Sequence, residues 1–380
     1  MRIYFDNAAT TYPKPDSVAE AVYDYIKNNG ANIGRGAYQS AFTAAEKVYE
    51  TRELLCELLN ADNPDHVIFT SNVTQALNMV IKGFLKKGDH VLVSSIEHNA
   101  VMRPLTQLMA WGIEFSRIPS FPDGKMEMQE IEPLIRANTR AVIVTHASNV
   151  CGTIMPIETI GRICRKYKLK LIVDAAQTAG ILPINMRKCG IDALCFTGHK
   201  GFYGPQGTGG LVIAGEMSDL ITPIISGGTG SSSNLETVPD FCPDKFEAGT
   251  LNIPGIWGLN AGLRFIKEVG LENICKFESA LAEQFLEGIK DIDSLSAVGL
   301  EGTEGRTSVV SVISNKKDIA QIAYELSEHG IMTRVGMHCA PNAHKVLGTY
   351  PGGTLRFSFG YFNTENEIDY TLNILKSILL

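Results

Sequence analysis

Two hydrophobic periods alternate along the first two-thirds of the chain. A helical period opens at Asp16-Ser17, read as a cap, and puts Val18, Ala21, Val22, Tyr25 and Ile26 on one face until Gly30. A second helical stripe runs through Ala41, Ala44, Ala45, Val48, Leu55 and Leu58. Val67-Ile68-Phe69-Thr70 reads as a strand leading into a helix with Leu77, Val80, Ile81, Phe84 and Leu85, which Gly88 ends. Four short runs then follow at 91–93, 141–144, 171–173 and 193–196, each apolar at every position. Enough chain separates them for crossover helices, and the one between 158 and 168 is explicit in Ile160, Ile163, Cys164 and Tyr167. Runs apolar on both faces and joined by helices predict a mainly parallel sheet in an α/β domain.

The pattern changes near residue 226. The stretch from Ser226 to Asn234 is polar and glycine-rich and reads as a surface loop, with plain linker and functional loop equally open. Beyond 255 the chain predicts helices with a few strands, at 309–313, 331–334 and 355–359, and a helix at 318–329. Thr364-Glu365-Asn366-Glu367 is a capping box that opens a last helix through Ile368, Ile374, Leu375 and Ile378. A smaller α+β domain is expected here, and the chain holds no internal repeat.

Composition removes several function classes. No run of about 18 apolar residues exists, so no membrane span is expected. The first residues, Met1-Arg2-Ile3-Tyr4-Phe5-Asp6-Asn7, lack a signal-peptide layout, and a cytoplasmic location is the expectation. A charge of −7, from 34 basic and 41 acidic residues, is the wrong sign for a general nucleic-acid binder. The eight cysteines (56, 151, 164, 189, 195, 242, 275 and 339) contain no CxxC pair, so no metal site is expected. A reducing cytosol disfavours disulfides, and most of these thiols should be small buried hydrophobes.

The polar residues collect where a parallel α/β sheet binds ligands, beyond the carboxyl ends of its strands. Ser94-Ser95-Ile96-Glu97-His98-Asn99 follows the first run and Thr145-His146-Ala147-Ser148-Asn149 the second. Asp174 closes the third, ahead of Ala175-Ala176-Gln177, and Thr197-Gly198-His199-Lys200 follows the fourth. Four such clusters on successive strands suggest one lined crevice. Pyridoxal 5′-phosphate makes two demands that fit: a carboxylate such as Asp174 to keep its ring nitrogen protonated, and an amine such as Lys200 to hold its aldehyde. Ser71-Asn72-Val73-Thr74, between a strand and a helix, suits a phosphate, although the same residues suit an ordinary N-cap. The glycines at 204, 207, 209 and 210 do not form GxGxxG, and no Walker A motif occurs, so a nicotinamide dehydrogenase has no support.

Taken together, Tyr4-Phe5-Asp6-Asn7-Ala8-Ala9, Glu97-His98-Asn99, Ser148-Asn149, Asp174-Ala175-Ala176-Gln177 and Thr197-Gly198-His199-Lys200 resemble the class V aminotransferase group of fold-type I pyridoxal-phosphate enzymes. Phe246-Glu247-Ala248-Gly249-Thr250 and Arg334-Val335-Gly336-Met337-His338-Cys339-Ala340 narrow the resemblance to cysteine desulfurases of the SufS-like (group II) branch, which includes selenocysteine lyases. The resemblance implies a fold-type I α/β transferase. An N-terminal arm over 1–17 would pack with the small domain, a large cofactor-binding domain would span 18–254, and a small C-terminal α+β domain 255–380. Lys200 would form the Schiff base, Asp174 pair with the ring nitrogen, Gln177 bond the ring hydroxyl, and His98 stack on the ring and shuttle protons. Thr74, Thr197 and His199 would hold the phosphate, joined by Thr250 from the neighbouring subunit of a homodimer. Asn149 would lie beside the ring, Arg356 would clamp the substrate carboxylate, and Arg334 would stand at the entrance.

Cys339 would be the nucleophile, taking sulfur from L-cysteine as a persulfide and releasing L-alanine before transfer to an acceptor protein, as in iron–sulfur cluster assembly. A thiolate in that role needs an exposed position and a stabilised charge, which Arg334 could supply. Three positions differ from the branch's usual pattern: Met337 before His338, Val73 in the phosphate turn, and Arg35 between Gly34 and Gly36. They bear on substrate and acceptor rather than on fold. Selenocysteine as substrate, or another class V activity such as an aminotransferase or epimerase, is the nearest alternative. A pyridoxal-phosphate fold serving as a non-catalytic binding or regulatory protein is a remoter one.

Overall fold

A computed structural model describes residues 2–34 and 36–380; Met1 and Arg35, with the difference noted at Arg35, lie outside the described residues. Numbered in chain order after the short N-terminal strand β1 (Ile3–Tyr4), seven strands build one sheet. They are β2 (Val67–Thr70), β3 (His90–Ser94), β4 (Glu114–Ile118), β5 (Thr139–Thr145), β6 (Lys170–Asp174), β7 (Ala193–Thr197) and β8 (Gly209–Ile213). Their spatial order is β2-β8-β7-β6-β5-β3-β4. The pairs from β4 across to β7 are parallel, while β8 runs antiparallel to both β7 and β2.

The four apolar runs are the centres of β3, β5, β6 and β7, and every residue in them is buried. Their alternation divides them between two cores. Leu92, Val142, Val144, Leu171, Val173 and Phe196 pack on one face, and Val91, Val93, Ile143, Ile172 and Cys195 on the other. Each such side chain contributes roughly 1.5–3 kcal/mol by leaving water, which is why a both-faced strand carries no polar position.

Two strands escaped the pattern for different reasons. β4 is an edge strand with Glu114, Ser116 and Arg117 among its five residues, too polar to read as core. β8 begins with Gly209-Gly210, residues that weaken a strand on propensity. Both are there for close approach. A Cβ on Gly209 would sit 2.6 Å from the Asn72 Cα, and one on Gly210 2.7 Å from the Ile68 carbonyl oxygen.

Helix boundaries also differ locally. Asp16 is no cap: helix Asp16–Asp24 follows Pro15 without a side-chain cap bond, and Asp16 sits in the first turn, where its charge suits the helix dipole. Helix Val73–Phe84 stops before Leu85, which turns extended and buries its side chain, so Gly88 ends a loop rather than a helix. Helices Gln39–Leu59 and Ile157–Tyr167 fall where their stripes predict.

The C-terminal region forms a second sheet from β9 (Leu295–Val298), β10 (Val309–Ser314), β12 (Arg334–Gly336) and β13 (Thr354–Ser358), in the antiparallel order β12-β13-β10-β9. The single strand expected at 331–334 breaks at Thr333: β11 (Ile331–Met332) leaves this sheet to pair in parallel with β1. Ile3 and Phe5 thereby enter a core built on Phe285, Phe357 and Phe359. The core changes within helix Leu271–Ile289, since Ile274 packs with the large sheet and Leu281 with the small one. The capping box is present, with Thr364 and Glu367 bonding each other's backbone at helix Glu365–Leu379. The stretch 226–234 has no helix or strand and folds back, with Gly249 N–H donating to Gly228 O at 2.8 Å.

Candidate active site

Strands β3, β5, β6 and β7 end side by side, so the polar residues that follow them meet. β12 and β13 bring two arginines and the Gly336–Pro341 loop over the same place. Between them lies a cavity of about 320 Å³. His98, Asn149, Asp174, Gln177 and Lys200 line it from the large sheet, and Arg334, Cys339 and Arg356 from the small one.

Asp174 is 3 % exposed and accepts a bond from the Ala176 N–H at 3.0 Å. Burial raises its carboxyl above the usual range, against the pull of that N–H and of Lys200. Among the described residues it has no ion pair. Burial, helped by Arg356, lowers the Lys200 ammonium to about 8 although Asp174 pulls the other way. His98 caps helix Asn99–Met109 by accepting the Ala100 N–H on Nδ1 at 3.0 Å, which leaves its proton on Nε2. Burial first, then Lys200, lowers it to about 4, so the ring is neutral at pH 7. Gln177 is oriented by donating from Nε2 to Ala8 O at 3.1 Å. A buried carboxylate without a cation, a largely deprotonable amine and a neutral imidazole fit the pyridoxal group that the resemblance implies.

The four expected phosphate holders do not line this cavity within the single chain. Thr74 is exposed in the first turn of helix Val73–Phe84, where Val73 is the residue at the wall. Asn72 caps Gln75 N and Gln75 Oε1 takes Ser71 N–H, leaving the N–H groups of Val73 and Thr74 without intrahelical acceptors. Thr197 is buried at the end of β7, with its hydroxyl in only a long contact, 3.5 Å, to Thr208 O. His199 stands beside Lys200 with Nδ1 3.0 Å from Thr10 Oγ1. Thr250 lies at another cavity with Gly207 and Thr208.

Cys339 is exposed, whereas four of the other seven cysteines are buried and three half-buried; all eight are free thiols. His338 and Cys339 both take left-handed backbone, at φ +45° and +56°. Such residues cost roughly 1 kcal/mol each without help. Asn149 Nδ2 supplies it by donating to His338 O at 2.6 Å, and Cys339 O accepts Asn99 N–H at 2.8 Å.

Both arginines line the cavity and share one partner. Arg334, which lines the cavity with Cys339, has its guanidinium engaged side-on by Asp6, with Nε at 3.0 Å and Nη2 at 2.8 Å. The same carboxylate reaches Arg356 Nη2 at 3.0 Å, and Arg356 Nη1 donates to Asn149 O at 3.0 Å. Arg356 Nε is buried without a partner. Asp6 was thus missed as a site residue, because its contacts cross 328 and 350 residues of chain and leave no local pattern. Two further groups were missed. Glu97 is buried, held by Ser94 Oγ and Thr145 N–H, and burial raises it to about 8. His338 lines the cavity with Nε2 2.9 Å from Thr354 Oγ1 and with Nδ1 unpartnered.

Comparison with known proteins bears on the whole chain. The family model described as aminotransferase class-V matches residues 3–371. A probable cysteine desulfurase of Methanothermobacter thermautotrophicus is 36% identical over 382 residues, covering 99% of this chain and 94% of that protein. One of Pyrococcus abyssi is 34% identical over the same shares of both chains. The apo structure of a cysteine desulfurase from Thermococcus onnurineus NA1 matches with a TM-score of 0.94 at 32% identity, over 100% of this chain and 94% of that one. The cysteine desulfurase CsdA of Escherichia coli, in S-sulfonic acid form, matches at 0.89 and 26% identity, over 99% and 95%.

Proposed function

The chain belongs to the class-V aminotransferase family, and from that premise we propose that it is a pyridoxal-phosphate-dependent cysteine desulfurase. It converts L-cysteine to L-alanine and holds the sulfur as a persulfide on Cys339. The observation that carries this reading is the presence of an amine, a buried carboxylate and an exposed thiol (Lys200, Asp174 and Cys339) on the walls of one cavity.

When bound, the cofactor supplies an electron sink that acidifies the substrate's Cα–H. Asp174 would keep the ring nitrogen protonated, and its burial on the cavity wall without an ion pair among the described residues supports that role. Lys200, with its amine lowered to about 8, is matched to taking the Cα proton and returning it near neutral pH. His98, neutral with the proton on Nε2, offers a flat face and one N–H donor. Arg356 is the buried cation that receives the substrate carboxylate. Cys339 as thiolate attacks the substrate's Sγ: the new S–S bond forms as the Cβ–S bond breaks, and the electron pair left on Cβ takes a proton. The thiol becomes a persulfide and the carbon skeleton becomes alanine.

The finer reading is a homodimer of the SufS-like branch, acting in the cytoplasm and passing sulfur to an acceptor protein for iron–sulfur cluster assembly. Thr250, away from the cavity of its own chain, suits a phosphate ligand lent to a neighbour. With Thr74, Thr197 and His199 it would complete the phosphate site. Selenocysteine is accommodated by the same chemistry. Among the described residues no helix is long and apolar enough to cross a membrane, and no cluster of metal-ligating side chains occurs. The test is Cys339→Ser. It should abolish alanine formation from L-cysteine while the cofactor's visible absorbance persists. Undiminished turnover would favour an aminotransferase or epimerase, neither of which needs a thiol.

A further inference from the structure

Arg334 and Arg356 stand on the cavity wall, and the Asp6 carboxylate pairs with both. Asp6 binds Arg334 side-on and reaches across to Arg356 Nη2. With Asn149 O on Nη1, each terminal nitrogen of Arg356 makes one hydrogen bond, and the residue is 2 % exposed. Nε, by contrast, is buried and has no acceptor at all. A buried donor with no partner is expensive to keep unless a ligand completes it. Two guanidiniums and Asp6 leave one net positive charge, which a single substrate carboxylate neutralises.

Asp6 is itself held rigidly. Ile3 and Phe5 are buried in the small core, and β1 pairs with β11. Beyond Asp6, Ala8 N–H donates to Ser358 Oγ at 2.8 Å and Asn7 Nδ2 to Ser358 O at 2.9 Å. Ser358 stands two residues along β13 from Arg356, so the arm and the arginine share one strand as foundation.

We propose that Asp6 is a positioning residue for substrate recognition: it fixes Arg334 and Arg356 in one array so that Arg356 presents Nε–H to the carboxylate of the amino-acid substrate. The inference rests on the reading of this chain as a cysteine desulfurase and extends it to the N-terminal arm. Without the Asp6 charge the two guanidiniums repel. Arg334, half-exposed, can turn to solvent, whereas Arg356 must be ordered anew by each substrate. The extra positive charge pulls the opposite way, but solvent screens it at Arg334.

The test compares Asp6→Asn with wild-type holoenzyme, using L-cysteine as substrate and two inhibitors, L-alanine and ethylamine. Ethylamine has the amine of alanine and no carboxylate. Ordering one long side chain on binding corresponds to about threefold to tenfold in affinity. The KM for cysteine and the inhibition constant of alanine should rise by that factor, with kcat within about twofold and the ethylamine constant unchanged. A merely structural role would shift both inhibitors together. Equal shifts, or no shift for alanine, overturn the proposal. Should Asp6→Asn fail to fold, Arg334→Gln serves: Asp6 is then free to close on Arg356, and alanine must weaken while ethylamine does not. The proposed function fails separately, if the wild-type enzyme makes no alanine from cysteine.

Discussion

Asp174 and Lys200 sit at the ends of neighbouring strands, and burial acts on both in the same direction, toward the uncharged form. Each is therefore poised to gain from a partner that restores charge, which is what a protonated ring nitrogen and a Schiff base offer. Asp174→Asn keeps the shape and removes that charge. Turnover should fall by about 10²–10³-fold, the usual effect of deleting one electrostatic partner at a reacting centre. Steady-state alanine formation measures it, and a loss below tenfold would deny Asp174 its role. At this scale much was legible. Eight of the proposed side chains line one cavity, because each was found at a strand end or in a dense motif. Asp6 was not legible, since an ion pair between chain ends has no spacing to read.

Elements decided which parts the pattern could show. Strands β3, β5, β6 and β7 stand out since both their faces are dry, while β4 and β8 do not, one for its exposed edge and the other for its glycines. The glycines of β8 are tied to the site. Gly209 lets the Ser71–Thr74 turn lie against the sheet, so Gly209→Ala must push the start of helix Val73–Phe84 outward. Overpacking of that kind costs about 1–3 kcal/mol. The variant should melt earlier and lose cofactor faster on dialysis than wild type. Helix Leu271–Ile289 carries a different strain. Its Glu278 is buried near Ser308 and the Tyr361 backbone, and burial raises it from 4.5 to about 8. A carboxyl raised on folding is protonated in the native state while the unfolded chain ionises. Stability therefore falls as pH rises from about 4.5 to about 8. The urea midpoint of the wild-type apoprotein, taken relative to that of Glu278→Gln, should therefore drop between pH 5.5 and 7.5. Glu97, Asp174 and Glu247 are raised in the same direction, whereas His98, His146, His199 and His338, lowered by burial, tilt the slope the other way below about pH 6.5, so only the difference between wild type and variant isolates Glu278. An unchanged slope would mean that Glu278 is ionised when folded.

Across the whole molecule, two sheets with separate cores meet at one cavity, and the N-terminal strand crosses from the first residues into the second sheet's core. That crossing was expected from resemblance alone, since two residues of strand carry no periodicity. On the proposed reading Thr250 serves the phosphate site of a neighbouring subunit, so Thr250→Ala should weaken cofactor retention. The central claim is most directly tested on pure wild-type protein, by its absorbance spectrum before and after L-cysteine, with alanine assayed alongside. The account predicts a visible band that shifts on adding cysteine, with alanine released and persulfide on Cys339. A protein that shows no band even after reconstitution with pyridoxal phosphate would contradict it.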